Sequence, residues 1–386
     1  MKKMKKLKVH VLYEYGTDLR PHGCAYIRLL LPLKHASNAD SLVVSSGQDY
    51  ARADVVVVDR TWFPGVTPEA AEALVRRARH DGARILYSID DNLLDLKPAG
   101  FNRWPFTTEE LMAVRYFARE ADGIMVATEH LKERLARLNP NIYVVPNALD
   151  ERLWLGDPPA EPPAGRGGRK VIGYMGTQTH DADLMMILQP LRAALRRHAG
   201  EVELQLVGGV ADRAVIEAFA GLPVSVLDVG GHVEYPDFAR WMGRSVKWDL
   251  AIAPLEVDEF TRCKSDIKFL DYSILGIPGV YSRGPVYGGT VRHLETGFLA
   301  DNNTRSWAEA FELMLTDDAL RRRLAKAAHE YTLSERTLQH RAADWREVVF
   351  SVAGRDPQSR DLDMTGGTVD MGVRKKDGRH SYGTAN

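Results

Sequence analysis

Short runs of β-branched and apolar residues alternate along most of this chain with longer stretches whose apolar positions recur every three or four residues. Runs 7–13, 41–44, 54–59, 84–89, 123–127 and 142–146 predict strands, and 25–35, 68–80, 109–120 and 129–138 predict the helices among them. That alternation points to βαβ units and a parallel sheet. The run Val55-Val56-Val57-Val58 is apolar without interruption, as expected of a strand covered on both faces.

The pattern then stops. Residues 156–168 are Pro- and Gly-rich, a composition that packs poorly and reads as a linker between two folded units. Beyond it the alternation restarts, with strands predicted at 170–174, 202–207, 224–228, 250–254 and 279–282. Helices are predicted at 182–198, 213–220, 236–242, 267–275, 307–316, 320–331 and 336–352. The expected division is an N-terminal unit (1–155), a linker (156–169), a second α/β unit (170–335), a last helix (336–353) and a polar tail without periodicity (354–386). Two such units joined by a linker predict a cleft between two sheets, with the informative residues just after the strands.

Composition narrows the function classes. Of the 386 residues, 45% are hydrophobic and 27% charged, ordinary values for a globular protein, and the formal net charge of −1 gives no pull toward nucleic acid. Two cysteines, Cys24 and Cys263, cannot build a disulfide framework or a cysteine-rich metal site. No run approaches the length of a membrane span, and the apolar stretch after the first lysines is too broken to serve as a secretory signal. The expectation is a cytoplasmic protein. Lys2, Lys3, Lys5, Lys6 and Lys8 form a cluster able to touch anionic lipid at the inner membrane face, or simply a solvated chain start.

Candidate chemistry concentrates in the second half. From Val171 the chain runs through Gly173, Gly176, Thr177 and His180 into a predicted helix, a strand–glycine–helix exit whose N–H groups could face a phosphate. Two glycines also simply make a tight turn, and this is neither a P-loop nor a dinucleotide fingerprint. A second strand exits at Gly208 and Gly209. In the stretch 264–278, Lys264 and Lys268 are four apart, with Ser265 between them and Asp271 three further on. Lysines aimed at a cleft neutralise a diphosphate and a carboxylate accepts from ribose hydroxyls, although such spacing also marks a solvated helix face. Whether Lys264 lies on the helix or on the loop ahead of it is open. Tyr235 could stack on a nucleobase or pack at a rim. In the first half, Asp90 and Asp91 follow a strand, and His22 and Gly23 follow another.

Several of these stretches occur in one order that resembles the group 1 retaining glycosyltransferases of GT-B fold, of the bacterial surface-polysaccharide type, with this chain as a divergent member. The resemblance is carried by 249–255, 264–278 and 295–299, by Ala121-Asp122-Gly123 leading to Thr128, and by Val145-Pro146-Asn147-Ala148-Leu149-Asp150. It extends over about residues 7–353. It implies two Rossmann-like α/β domains with parallel sheets facing a central cleft. It also implies transfer of a sugar from a nucleotide diphosphate to a glycan or lipid-linked acceptor, with retention at the anomeric carbon. Lysines and helix N-termini replace a metal at the leaving diphosphate, so no metal or cofactor is expected beyond the nucleotide-sugar substrate. The donor is expected on the second domain and the acceptor on the first, and the last helix is expected to cross back to the first.

Matched by position, Gly173 and Gly176 correspond to the glycine loop near the diphosphate, and Asp271 takes the place of the second glutamate of a paired-glutamate motif at the ribose. The first glutamate falls at Cys263, and a basic residue usual after the first strand of the second domain is absent, so Lys264 and Lys268 are expected to carry the charge with His180 as helper. Asp91 falls where many members place a histidine near the donor sugar, and Gly23 matches a small residue of the acceptor-side loop. A sugar-nucleotide epimerase and a non-catalytic sugar-nucleotide-binding module are the alternatives. A nicotinamide dehydrogenase fits the fold class, but Tyr13-Glu14-Tyr15-Gly16-Thr17-Asp18 after the first strand is no glycine fingerprint.

Overall fold

The computed structural model describes residues 5–16, 18–95, 106–155, 168–176, 181–208, 217–232 and 234–355. They form two lobes, each built on a six-stranded, all-parallel sheet. The first sheet has the order β2-β1-β3-β4-β5-β6, from β1 (Leu7–Leu12), β2 (Leu42–Gly47), β3 (Val55–Asp59), β4 (Arg84–Ser88), β5 (Gly123–Val126) and β6 (Ile142–Val144). The second has the order β12-β11-β10-β7-β8-β9, from β7 (Lys170–Met175), β8 (Val202–Val207), β9 (Val224–Leu227), β10 (Leu250–Ala253), β11 (Gly279–Ser282) and β12 (Phe298–Ala300). The strand order reverses between β1 and β3 in one lobe and between β7 and β10 in the other, and such switch points open a crevice at the carboxyl ends of the strands.

The valine run of β3 shows how one strand serves two cores. Val56 and Val58 pack with α2 (Pro68–His80), α3 (Thr108–Glu120) and α4 (Glu129–Leu135), which carry Leu74, Phe117 and Leu131 on one face. Val55 and Val57 pack on the other face with α1 (23–33) and with the last helix. In α1, Pro32 has no N–H to offer the Arg28 carbonyl, and a π-helical segment, Tyr26–Leu30, spans this point. The indole Nε1 of Trp345 donates to that carbonyl.

The second lobe follows the same plan. Its chain leaves the first lobe through a short helix, α5 (Glu151–Trp154), whose Leu153 and Trp154 already pack with the second core. One face of its sheet is covered by α6 (Asp181–Met186) and α7 (Leu188–Arg197), the other by α8 (Tyr235–Ser245) and α9 (Ile267–Ile274). The single helix expected over 182–198 is interrupted at Ile187, because Pro190 has no N–H for the carbonyl of Met186. The strand β12 was not predicted, although β6, equally short, was. Helices α10 (Thr304–Thr316) and α11 (Asp318–Glu335) complete this lobe, and α12 (Leu338–Val352) lays Leu338, Ala342, Trp345 and Val349 against the first sheet. Nearly all of the expected linker and tail, 156–167 and 356–386, and the first half of the helix expected at 213–220, lie outside the described residues. Among the described residues no helix is long and apolar enough to cross a membrane.

The lobes meet where Arg336, between α11 and α12, forms a two-pronged ion pair with Asp266, at 2.8 and 2.9 Å. Both groups are buried. Nε and Nη2 of Arg336 donate to the carbonyl of Asn147 on the first lobe, Nη1 also donates to the Tyr331 hydroxyl, and Thr290 Oγ1 donates to Asp266. Removing one partner strands a buried charge, so Arg336→Met or Asp266→Asn is each expected to cost about 3–5 kcal/mol in denaturant unfolding, with the double variant recovering part of the loss. Single variants that lose less than about 1 kcal/mol would show that this pair does not hold the junction.

Candidate functional site

A cavity of about 250 Å³ lies between the two switch points. The first lobe contributes Gly23 and Cys24 from the start of α1, Asp90 and Asp91 from the loop after β4, and Asn147. The second contributes Lys264, Ser265 and Lys268 around the start of α9. Six of the residues singled out from sequence thus line one space, three from each lobe: Gly23, Asp90, Asp91, Lys264, Ser265 and Lys268.

Lys264 is on the loop ahead of α9, not on the helix, because the helix begins at Ile267. Its Nζ lies 3.4 Å from Asp91 Oδ1, across the cleft, and 4.7 Å from the centre of the Phe260 ring. Lys268 sits in the first turn of α9 with its Nζ 5.6 Å from the centre of the Tyr174 ring. Burial, reinforced by the charge of Lys264, brings the Lys268 ammonium down to about 8 even though Asp183 and Asp271 favour its charged form. Asp271 is 5% exposed. Burial pushes its carboxyl up to about 8 against the pull of Lys268, and its Oδ1 has no hydrogen-bond partner among the described residues. Asp183, a neighbour that sequence reasoning missed, accepts the Glu256 N–H at 2.8 Å and so fixes the loop after β10.

The glycines divide in role. Gly173 is inside β7, and a Cβ there would fall 1.7 Å from the ring of Trp248, so its lack of a side chain serves packing and not the approach of a ligand. Gly176 and Gly208 end neighbouring strands. Gly208 has φ +84°, and a Cβ on it would lie 2.3 Å from the carbonyl oxygen of Gly176, so the two turns stack backbone on backbone. Thr177, His180 and Gly209 lie outside the described residues. Tyr235 packs with the second core at the start of α8 and faces Gly23, and burial together with the nearby charge of Asp271 raises its phenol well above the usual range. This is the rim-packing arrangement, with Asp271 as neighbour.

The first lobe holds a charged cluster that the sequence did not disclose. Arg60, at φ +45°, reaches Glu14 (2.9 Å), Asp90 (3.1 Å) and Asp91 (3.4 Å). The unusual backbone is held by Arg60 N–H to the Ser88 carbonyl and by Tyr87 Oη to the Arg60 carbonyl, both 2.9 Å. Burial would raise Glu14, but Arg60 and hydrogen bonds from His22 and Thr61 bring it down to about 2, so it remains an anion. His22 therefore belongs to this cluster, 3.1 Å from Glu14, and does not line the cavity. Burial, opposed by Arg60 and reinforced by Asp91, raises Asp90. Burial and the charge of Asp90 also raise Cys24 well above its usual value, which keeps it a thiol. Arg60 follows β3 directly, so the signal available in sequence was a basic residue at a strand exit beside the switch point.

Residues 259–265 are fastened to the first lobe at several points. Thr128 caps α4 and its hydroxyl also donates to the Cys263 carbonyl at 2.9 Å. Asn92 Nδ2 donates to the Glu259 carbonyl at 3.2 Å, and Asn147 Nδ2 to Ser265 Oγ at 2.8 Å. The Cys263 side chain is buried and packs with the core of the first lobe, where desolvation would penalise a carboxylate. Among the described residues no group of three or more His, Cys, Asp or Glu side chains is disposed to hold a metal ion.

No protein-family model matches the sequence, and no curated protein sequence matches it. Solved structures do share its fold. HepE from Anabaena, in complex with UDP, superposes with a TM-score of 0.61 at 12% identity, over 89% of this chain and 100% of that one. A glycosyltransferase from Rickettsia africae gives 0.60 at 11% identity, over 92% and 100%. Sucrose-phosphate synthase from Thermosynechococcus elongatus gives 0.55 at 15%, over 78% and 74%. The architecture is the two-domain α/β GT-B fold of these neighbours.

The pH response of the cavity follows from Lys268 and Asp271, which both lose a proton near pH 8, each step removing positive or adding negative charge. Pyrophosphate binding, measured by calorimetry, is expected to weaken as pH rises through about 8, by roughly tenfold for each of these two deprotonations. Lys268→Arg is expected to lose only the roughly tenfold that the Asp271 deprotonation contributes, since a guanidinium stays charged through this range. A flat profile in the native chain would separate Lys268 from the anion site.

Proposed function

We propose that the chain is a glycosyltransferase that takes a sugar from a nucleoside diphosphate donor bound chiefly to the second lobe and passes it to an acceptor on the first. The observation that supports this most is the cavity itself, where Lys264, Ser265 and Lys268 face Gly23, Asp90 and Asp91. UDP-sugars are the donors to try first, since solved structures of HepE hold UDP and UDP-glucose.

In this reading Lys264 and Lys268 receive the diphosphate, and the N–H groups at the start of α1 and α9 add fixed positive partial charge. As the bond between the anomeric carbon and the phosphate oxygen breaks, negative charge grows on that oxygen, where the lysines stabilise it. The acceptor oxygen forms the new bond to the anomeric carbon and its proton passes to the departing phosphate. The thiol of Cys24 stays protonated, and Asp90 and Asp91 are engaged by Arg60, so no side chain is offered as a covalent nucleophile. That supports retention by attack on the same face. The diphosphate charge is met by lysines, which supports metal-independent transfer. The unpartnered Oδ1 of Asp271 is the acceptor assigned to the ribose hydroxyls. Surface polysaccharide assembly is the proposed setting.

A sugar-nucleotide-binding module without turnover is the second reading, favoured by Cys263, whose side chain is buried where a carboxylate would otherwise complete the pair. The two are separated by a thermal-shift screen of UDP, GDP, ADP and their sugars, followed by a transfer assay with the stabilising donor. Lys268→Ala is expected to lower transfer by about 100-fold or more. Unchanged transfer would overturn the assignment, and stabilisation by the donor with no hydrolysis or transfer would favour the binding module.

A further inference from the structure

On the first lobe, a groove of about 380 Å³ lies between α3 and α4. Its walls carry Arg115 and Arg119 on one side and Arg134 and Arg137 on the other, and Leu94 and Leu138 form part of its floor. Arg134 is taken by Asp95 and by Glu259 at 3.5 Å. Arg115, Arg119 and Arg137 make no ion pair among the described residues, whereas Arg76, Arg79 and Arg84 of the same lobe each pair with a carboxylate. Helix dipoles favour cations at helix ends, as for Arg119 in the last turn of α3. Arg115 is mid-helix, and no such field accounts for it. In a chain of net charge −1, four arginines against Asp95 and Glu259 leave an excess of positive charge along a single groove.

The arrangement of the cations selects the anion. Arg115 and Arg119 are one helical turn apart, about 6 Å along α3, and Arg134 and Arg137 stand opposite. Rows of this kind match charges repeated along a chain better than a compact phosphate, which needs donors converging on one point. Guanidinium forks suit carboxylates and phosphates alike, and Leu94 and Leu138 suit the C–H faces of sugar rings rather than a bare polyphosphate. The groove adjoins the cavity along the chain. The loop that places Asp90 and Asp91 in the cavity leads through the buried Asn92, whose Nδ2 donates to Asp95 at 2.8 Å, into the wall of the groove.

We propose that this groove binds an acidic, carboxylate-bearing stretch of the glycan acceptor while its reacting end lies in the cavity. The inference rests on the glycosyltransferase reading for the identity of the ligand as acceptor, and on the groove alone for its affinity.

The test uses the full chain, with a six-residue oligogalacturonate, maltohexaose and pyrophosphate as probes, by calorimetry at low salt and without donor. Oligogalacturonate is expected to bind at least tenfold more tightly than maltohexaose and to weaken with added salt. Arg115→Glu with Arg119→Glu is expected to lower that affinity at least tenfold, and the paired change to Gln by less, with UDP binding and thermal midpoint unchanged in both. Equal binding of the acidic and neutral glycans, or glycan affinity unchanged in the variants, would overturn the proposal. So would loss of pyrophosphate binding in place of glycan binding, since the groove would then be a phosphate site. A chain that binds oligogalacturonate through these arginines but no nucleotide would sink the glycosyltransferase reading and with it the acceptor assignment, leaving only the groove's affinity.

Discussion

The buried fork between Arg336 and Asp266 is the constraint on which the cavity depends. Asp266 immediately precedes α9, so whatever fixes its carboxylate also fixes Lys264, Ser265 and the first turn that carries Lys268. The other half of the Arg336 guanidinium holds the carbonyl of Asn147, while the Asn147 side chain holds Ser265 on one side and Arg28 on the other. One guanidinium and one amide thus lock a loop of the first lobe to the start of a helix of the second. Burying such charges is costly unless every lone pair and N–H is used. Here Thr290 adds a hydrogen bond to Asp266 beside the fork, which offsets part of that desolvation.

Much of the fold was legible because burial on both sheet faces leaves a plain record. Continuous valine runs gave strands, and apolar positions three and four apart gave helices such as Pro68–His80. One feature that was not legible had a local cause: a proline that interrupts an otherwise periodic helix. The second-lobe half of the cavity was legible as well, since Lys264 and Lys268 are close in sequence and flank a helix start.

The first-lobe half was much less so. Glu14, Arg60 and Asp90 come from the exits of three different strands and are brought together only because the sheet order places β1, β3 and β4 side by side. No spacing rule joins residues so far apart in sequence. Gly173 shows the opposite error: the residue was conspicuous, but the neighbour that requires it is Trp248, distant in sequence and visible only in space. Cys263 is similar. Its apolar character is explained by the core of the other lobe, to which it belongs.

The shared carboxylate of Asp91 connects these two halves electrostatically. It lies between Arg60 on its own lobe and Lys264 on the other, so each cation sees a neutralising partner in the structure as it stands. In the proposed reading an incoming diphosphate would compete with Asp91 for Lys264, and the displaced carboxylate would keep Arg60 as counter-ion, so it would not be left alone in a partly desolvated site. The net cost of exchanging one anion for another is much smaller than that of holding two unpaired lysines in readiness. A single negative charge replaces Asp91 without further gain, whereas a diphosphate reaches Lys264 and Lys268 together. In the proposed reading, discrimination in favour of the larger anion would follow from the pairing of Asp91 with Lys264, before any contact with a sugar or a base is made.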